Sequence, residues 1–211
     1  MTYSVKEIYY TLQGEGGNAG RAAVFLRFAG CNLWTGREDD RASAICQFCD
    51  THFVGIDGPG GGRFSSAEDL ATAAWSTWRG SGPNRPLVVC TGGEPMLQMT
   101  DELLNALHEK GFEVAVESNG TIPALAGIDW LCISPKAKSK LVQHSGTEIK
   151  LVYPQEDGDP QRYHAMDFEH FFLQPMDGPD LIRNTALAAQ YCLDHPQWRL
   201  SVQIHKVVGL P

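Results

Sequence analysis

The chain has 211 residues, 43% of them hydrophobic, with 17 basic against 25 acidic side chains for a net charge of −8. That length and apolar content suit a single domain over residues 1–211 with a buried core. The acidic balance repels phosphate backbones and argues against a nucleic-acid partner, and no apolar run reaches the roughly 18 residues that would make a membrane span.

Met1 to Gln13 lacks the basic start and apolar stretch of a secretory signal, so a cytoplasmic location is expected. In that reducing compartment the six cysteines read as thiols or metal ligands rather than disulfides. Ala22 to Ala29 is the first apolar run rich in strand formers, and Leu87–Thr91, Glu113–Glu117, Trp130–Ser134, Glu148–Tyr153, His170–Gln174 and Leu200–His205 read the same way. Most are apolar at nearly every position, as strands covered on both faces are. Asp57 to Arg63 reads as a flexible loop, and Gly80 to Pro86 as a loop feeding the second strand. Ser65 or Ser66 caps a helix whose Leu70, Ala74 and Trp78 recur every four residues. Thr100 caps the next, with Leu103, Leu104 and Leu107 inward and Gly111 at its end. Asp159–Asp167 is a less regular helix, and Asn184–His195 is the last, stopped by Pro196. The alternation predicts an α/β fold, either a doubly wound sheet or a barrel. Six to seven mostly parallel strands fall short of the ~250 residues of a complete barrel, so an incomplete, open (β/α) barrel is expected. An open side favours a homodimer.

The residues that carry chemistry follow the strands. Cys31 follows the first, Thr91-Gly92-Gly93-Glu94-Pro95 the second, Glu117-Ser118-Asn119-Gly120 the third and Ser134-Pro135-Lys136 the fourth. Gln174-Pro175-Met176-Asp177 follows the sixth and His205-Lys206 the last. In α/β barrels the reactive groups sit at that end of the strands. Cys31, Cys46 and Cys49, spaced C-x14-C-x2-C, are the candidate ligands. From the residues alone two chemistries stay open: a zinc site closed by His52, or an iron–sulfur cluster with one iron left free. Cys90, Cys132 and Cys192 fall within a predicted strand or helix and read as small core residues. His108, His164 and His195 read as solvated. Arg27 sits in an otherwise apolar run, where a charge needs a partner.

Three cysteines ahead of a strand that ends in Gly-Gly-Glu-Pro resemble the radical S-adenosylmethionine superfamily. Within it, Tyr10-Thr11-Leu12-Gln13-Gly14-Glu15-Gly16, Phe25 to Leu33 and Cys49-Asp50-Thr51 resemble the 7-carboxy-7-deazaguanine synthase family. The likeness runs nearly end to end and includes the long spacing between the first two cysteines, which replaces the superfamily's short loop.

The resemblance implies conversion of 6-carboxy-5,6,7,8-tetrahydropterin to 7-carboxy-7-deazaguanine with loss of ammonia, a step toward queuosine and other deazapurines. S-adenosylmethionine would act as a regenerated source of a 5′-deoxyadenosyl radical. It implies a [4Fe–4S] cluster on Cys31, Cys46 and Cys49, Mg²⁺ on Thr51 with Asp50 close by, and a reductant such as flavodoxin or ferredoxin. The cofactor would meet Phe48, Cys49, Asp50, Gly93, Glu94, Glu117, Asn119, Ser134, Pro135, Lys136 and the segment Gln174, Pro175, Met176, Asp177. The pterin would meet Leu12, Gln13, Gly14, Glu15, Thr91, the Arg27 guanidinium through its carboxylate, and the terminal carboxylate at Pro211. Two rivals remain: an activase that abstracts hydrogen from a partner's glycine, and a non-catalytic zinc-binding module.

Overall fold

A computed structural model describes residues Met1–Pro211. Nine strands form one sheet in the order β3-β1-β2-β4-β5-β6-β7-β8-β9. They are β1 (Tyr3–Leu12), β2 (Ala22–Phe28), β3 (Gly62–Phe64), β4 (Leu87–Gly92), β5 (Glu113–Ser118), β6 (Trp130–Ile133), β7 (Ser145–Tyr153), β8 (Asp167–Pro175) and β9 (Trp198–Leu200). From β2 to β9 every neighbouring pair is parallel. β1 pairs antiparallel with both β2 and β3. β3 and β9 are the two edges and do not pair with each other, so the sheet stays open. The α-helices are α1 (Ala67–Thr77), α2 (Asp101–Glu109), α3 (Leu181–Asp194) and the short α4 (Ile204–Val208). No helix is long and apolar enough to cross a membrane.

The caps behave as the sequence predicts. Ser66 accepts from the Asp69 amide at the start of α1, and Thr100 from the Leu103 amide at the start of α2. Four segments depart from expectation. Tyr3–Leu12 is a full strand, hidden in the sequence because a bulge between Val5 and Glu7 breaks its alternation. The segment read as the loop Asp57–Arg63 ends in β3. Asp159–Asp167 forms only a 3₁₀ turn, Pro160–Tyr163, before β8 begins. Leu200–His205 is not one strand: β9 ends at Leu200 and α4 starts at Ile204.

Period-two alternation divides each parallel strand between two faces. Val24, Leu26 and Phe28 of β2, Val88 and Cys90 of β4, Val114 and Val116 of β5, and Ile149 and Leu151 of β7 join one large core with residues of α1 and α2. The other face is plugged by a small cluster of Ala23, Leu87, Val89 and Ala115. Arg27, Thr91, Glu117 and Lys150 occupy alternate positions on this second face, further along the strands. Cys90 and Cys132 are buried, which pushes the Cys90 thiol up to about 12 and the Cys132 thiol well above its ordinary value. His164 and His195 are not solvated as expected. They pack with Trp198 and Tyr191, and His195 stacks on Tyr191 with 4.0 Å between ring centroids. His108 pairs with Asp129 at 2.8 Å.

Candidate active site

A cavity of about 400 Å³ opens at the C-terminal ends of the parallel strands. Cys31, Cys46 and Cys49 line one part of it, beside Phe48, Asp50 and Thr51. Gly93, Asn119, Ser134, Lys136 and the segment Gln174–Asp177 line it from successive strand ends. Leu12, Gln13, Glu15, Arg27, Thr91, Glu117 and Pro211 complete the wall. Segments almost 200 residues apart thus meet in one space; Thr11 Oγ1 donates to the Pro211 carbonyl at 3.2 Å.

The glycine pair joins two loops. Gly92 has φ +149, and a Cβ there would lie 2.4 Å from the Phe28 carbonyl oxygen. A Cβ on Gly93 would lie 2.1 Å from the Gly30 carbonyl oxygen and 2.7 Å from Cys31 Cβ. Only glycine lets the end of β4 lie against the Cys31 loop, and the Glu94 amide then donates to the Gly30 carbonyl at 2.9 Å.

Three expected contacts lie off the wall: Gly14, Glu94 and Pro135 are not among the residues facing the cavity. Glu94 is fully buried, and its carboxylate accepts from the Met96 amide, the Ser118 hydroxyl and the Asn119 amide at 2.7–2.9 Å. Burial pushes its carboxyl up, against the pull of those donors. Glu94 holds the turns after β4 and β5 together. Gly14 lies behind the wall, where its carbonyl accepts from the Ile204 amide at 3.0 Å.

Other expected contacts face the cavity but are already engaged. Asn119 donates to Asn32 Oδ1 at 2.9 Å and accepts from Thr121, which ties the β5 turn to the residue after Cys31. Arg27 is no surface residue: its strand lies between β1 and β4, and its guanidinium bonds Glu7 and the Tyr9 hydroxyl, each at 2.8 Å. Glu7 is the partner its charge demanded, supplied by the strand that the sequence hid. Gln13 donates to Glu117 Oε1 at 2.8 Å and accepts from the Glu15 amide at 3.1 Å, so the fold fixes its amide.

Two contributors, Lys150 and Gln203, escaped sequence reasoning. Lys150 lies 2.7 Å from Glu15 and 3.0 Å from Glu117, with only 4% of its side chain exposed. Burial opposes its charge, but the surrounding acids hold its ammonium well above the usual range. The test that singled out Arg27, a charge inside an apolar run, would have found Lys150 and Glu148 as well. Gln203 donates to Glu15 at 2.8 Å. Lys206, on α4, spans Asp50 at 3.0 Å and Asp177 at 2.5 Å.

The cysteines suit a cluster better than a single ion. All three are free thiols on one cavity. A structural zinc ion would gather four ligands within about 2.3 Å of one point, one more than the three cysteines provide. A cluster asks less convergence, because each thiolate takes a different iron. The neighbouring thiols of Cys46 and Cys49 shift one another, with that of Cys49 lowered to about 6 and that of Cys46 raised. Lys136 favours the thiolate at both positions. Its ammonium is held by the Ser134 hydroxyl and carbonyl at 2.8 Å and lies 5.9 Å from the Phe48 ring centre.

No family model matches the chain. Two curated relatives, both named 7-carboxy-7-deazaguanine synthase, match all of it over their own full length: one from Caulobacter vibrioides at 66% identity and one from Bordetella pertussis at 60%. The crystal structure of QueE from Escherichia coli superposes with a TM-score of 0.68 at 27% identity, covering 97% of this chain and 95% of that one. With its fold, its cavity and these full-length relatives in agreement, the chain belongs to the 7-carboxy-7-deazaguanine synthase family.

Proposed function

We propose that this protein is a radical S-adenosylmethionine enzyme that converts 6-carboxy-5,6,7,8-tetrahydropterin to 7-carboxy-7-deazaguanine with release of ammonia. The observation that carries the reading is the single cavity shared by the three cysteines and by the segments around Gln13 and Gln174. Cys31, Cys46 and Cys49 would hold a [4Fe–4S] cluster whose fourth iron takes S-adenosylmethionine. When bound, this pair supplies one-electron reduction and hydrogen-atom abstraction, while the protein supplies binding and orientation.

The chain's own residues divide that work. Lys136 and Ser134 present a cation and a hydroxyl beside the cysteines, suited to a cofactor carboxylate. Gly93 keeps the floor thin there, and Glu94 acts from behind by fixing the Ser118–Asn119 turn. Phe48 offers an apolar face, and Gln174, Pro175, Met176 and Asp177 close the adenosine side. Met176 is anchored through its carbonyl to the Asn184 amide at 2.9 Å. On the substrate side Arg27, which lines the cavity, would meet a carboxylate. Leu12, Glu15, Thr91, Glu117 and Pro211 bound the pterin. Thr51 would give Mg²⁺ one oxygen; the rest of its coordination must come from substrate and water.

One domain over residues 1–211 carries all of this. The reductant would be a small electron carrier of the flavodoxin or ferredoxin class. A second copy would cover the exposed Ile182, Leu193 and Val207, which are 76–89% accessible. Six free thiols suit the reducing cytoplasm.

The test is an anaerobic assay. Reconstituted protein with S-adenosylmethionine, a strong reductant, Mg²⁺ and the carboxytetrahydropterin is expected to form 7-carboxy-7-deazaguanine. An intact cluster without product overturns the substrate assignment. Stoichiometric zinc without iron and sulfide overturns the cluster.

A further inference from the structure

Lys150 is a buried cation on the cavity wall that the reading above leaves without a role. Its ammonium lies 2.7 Å from Glu15 Oε2 and 3.0 Å from Glu117 Oε2. Glu117 also accepts from the Gln13 amide, whose oxygen accepts in turn from the Glu15 backbone amide. A closed ring results, Lys150–Glu117–Gln13–Glu15, built from β7, β5 and the segment after β1. Glu15 passes the connection on to Gln203, ahead of α4. Taking a lysine out of water costs several kcal/mol unless its partners are well placed, and here two of them are.

The charges facing this ring come from every neighbouring element. Glu148 lies one alternation back on β7, with its carboxylate on the Gly17 amide. The Cys132 thiol of β6 and the His205 ring of α4 complete the set. On the wall one lysine therefore faces two carboxylates, Glu15 and Glu117, with Glu148 behind them, and acceptors stay in surplus. Such a wall suits a ligand edge rich in N–H donors, as the amino-pyrimidine edge of a pterin is.

We propose that Lys150 is a positioning residue for the substrate: it keeps Glu15 and Glu117 ionised side by side, locks the Gln13 amide between them, and so presents an acceptor-rich floor to the donor edge of the pterin. Without the lysine, two adjacent carboxylates cannot both stay ionised near neutral pH, and one takes a proton. The floor then loses an acceptor, and Gln13 loses its fixed orientation. This inference rests on the pterin assignment above.

The experiment is equilibrium binding of 6-carboxytetrahydropterin to cluster-loaded enzyme with S-adenosylmethionine and no reductant, so that nothing turns over. Calorimetry at pH values from about 6 to about 8 spans the window where a paired carboxyl would titrate. Each variant is compared with wild type at the same pH, which cancels titration of the ligand. Lys150→Met is expected to bind at least about tenfold more weakly, with the deficit growing as pH falls, because protonation removes an acceptor. Lys150→Arg keeps the charge and is expected to remove that pH dependence. Glu15→Gln combined with Lys150→Met leaves one carboxylate and no cation. It is expected to bind at least about tenfold more weakly than wild type at every pH, without the pH dependence of the single variant. A folded Lys150→Met that binds like wild type, or whose deficit is the same at every pH, overturns the role. Should Lys150→Met not fold, the double variant decides: a deficit that varies with pH, or binding equal to wild type, overturns the proposal. Wild type that fails to bind the pterin removes the substrate assignment and this inference together, whereas unaffected binding in the variants removes only the role of Lys150.

Discussion

Glu15 shows how far a residue's behaviour can depart from its neighbours in sequence. Burial by itself would push its carboxyl up, but the Lys150 ammonium overcomes that and lowers it from 4.5 to about 2. The sign follows from linkage. A carboxylate whose folded value lies below its unfolded value adds stability above the unfolded value and loses it as pH falls through the folded one. Acid should therefore weaken the fold progressively between 4.5 and about 2 through this group. Glu15→Gln removes the contribution, so its urea midpoint, followed by far-ultraviolet circular dichroism, should drop less than wild type across that window. An equal drop in both proteins would show that the pair with Lys150 adds nothing. Glu94 teaches the complementary lesson. Its place in Gly-Gly-Glu-Pro marks it as functional, but which of its possible partners it meets depends on the turn after β5, 24 residues away. Sequence identified the residue, and the tertiary structure supplies the partners of its carboxylate.

Among the elements, the Gly92-Gly93 pair is the joint between β4 and the cysteine loop. Gly93→Ala would place a methyl group 2.1 Å from the Gly30 carbonyl oxygen, a contact that backbone on both sides cannot relieve cheaply. The expected result is a folded protein that loads about half the wild-type iron or less, because the Cys31 loop is displaced while the sheet core is untouched. Iron and sulfide content with the visible absorbance of the reconstituted protein measure it; full loading would show that the close approach is dispensable. The central strands and the two capped helices were legible because they carry long apolar runs or a side-chain cap. β1, β3 and the β9–α4 boundary were not. A bulge interrupts the first, three residues are too few for a pattern in the second, and the third changes type within a run that stays partly apolar throughout.

For the whole molecule, the segment after β9 closes the cavity. α4 buries no residue, so it adds little to the core. It is held by Lys206 to Asp50 and Asp177, by the Ile204 amide to Gly14, and by the Pro211 carbonyl to Thr11. Exposed ion pairs of this kind contribute about 0–1 kcal/mol each. A chain ended at Gln203 should lose only about 1–2 kcal/mol of stability by urea denaturation. It should lose at least about tenfold in pterin affinity, since His205, Lys206 and Pro211 all leave the wall. Unchanged affinity in a folded truncation would exclude the segment from the site.

The amino-acid sequence determined the fold class, the cysteine set and the family, because each rests on signals that are local or that recur along the chain: apolar runs, caps and short motifs. Only the tertiary structure decided which charges answer one another. Arg27 with Glu7, Lys150 with Glu15 and Glu117, and Lys206 with Asp50 and Asp177 pair residues from separate strands and loops. A buried charge announces in sequence that it needs a partner. Which partner it finds depends on strand order and on which face of each strand turns inward, and a one-residue change of register would reverse that face.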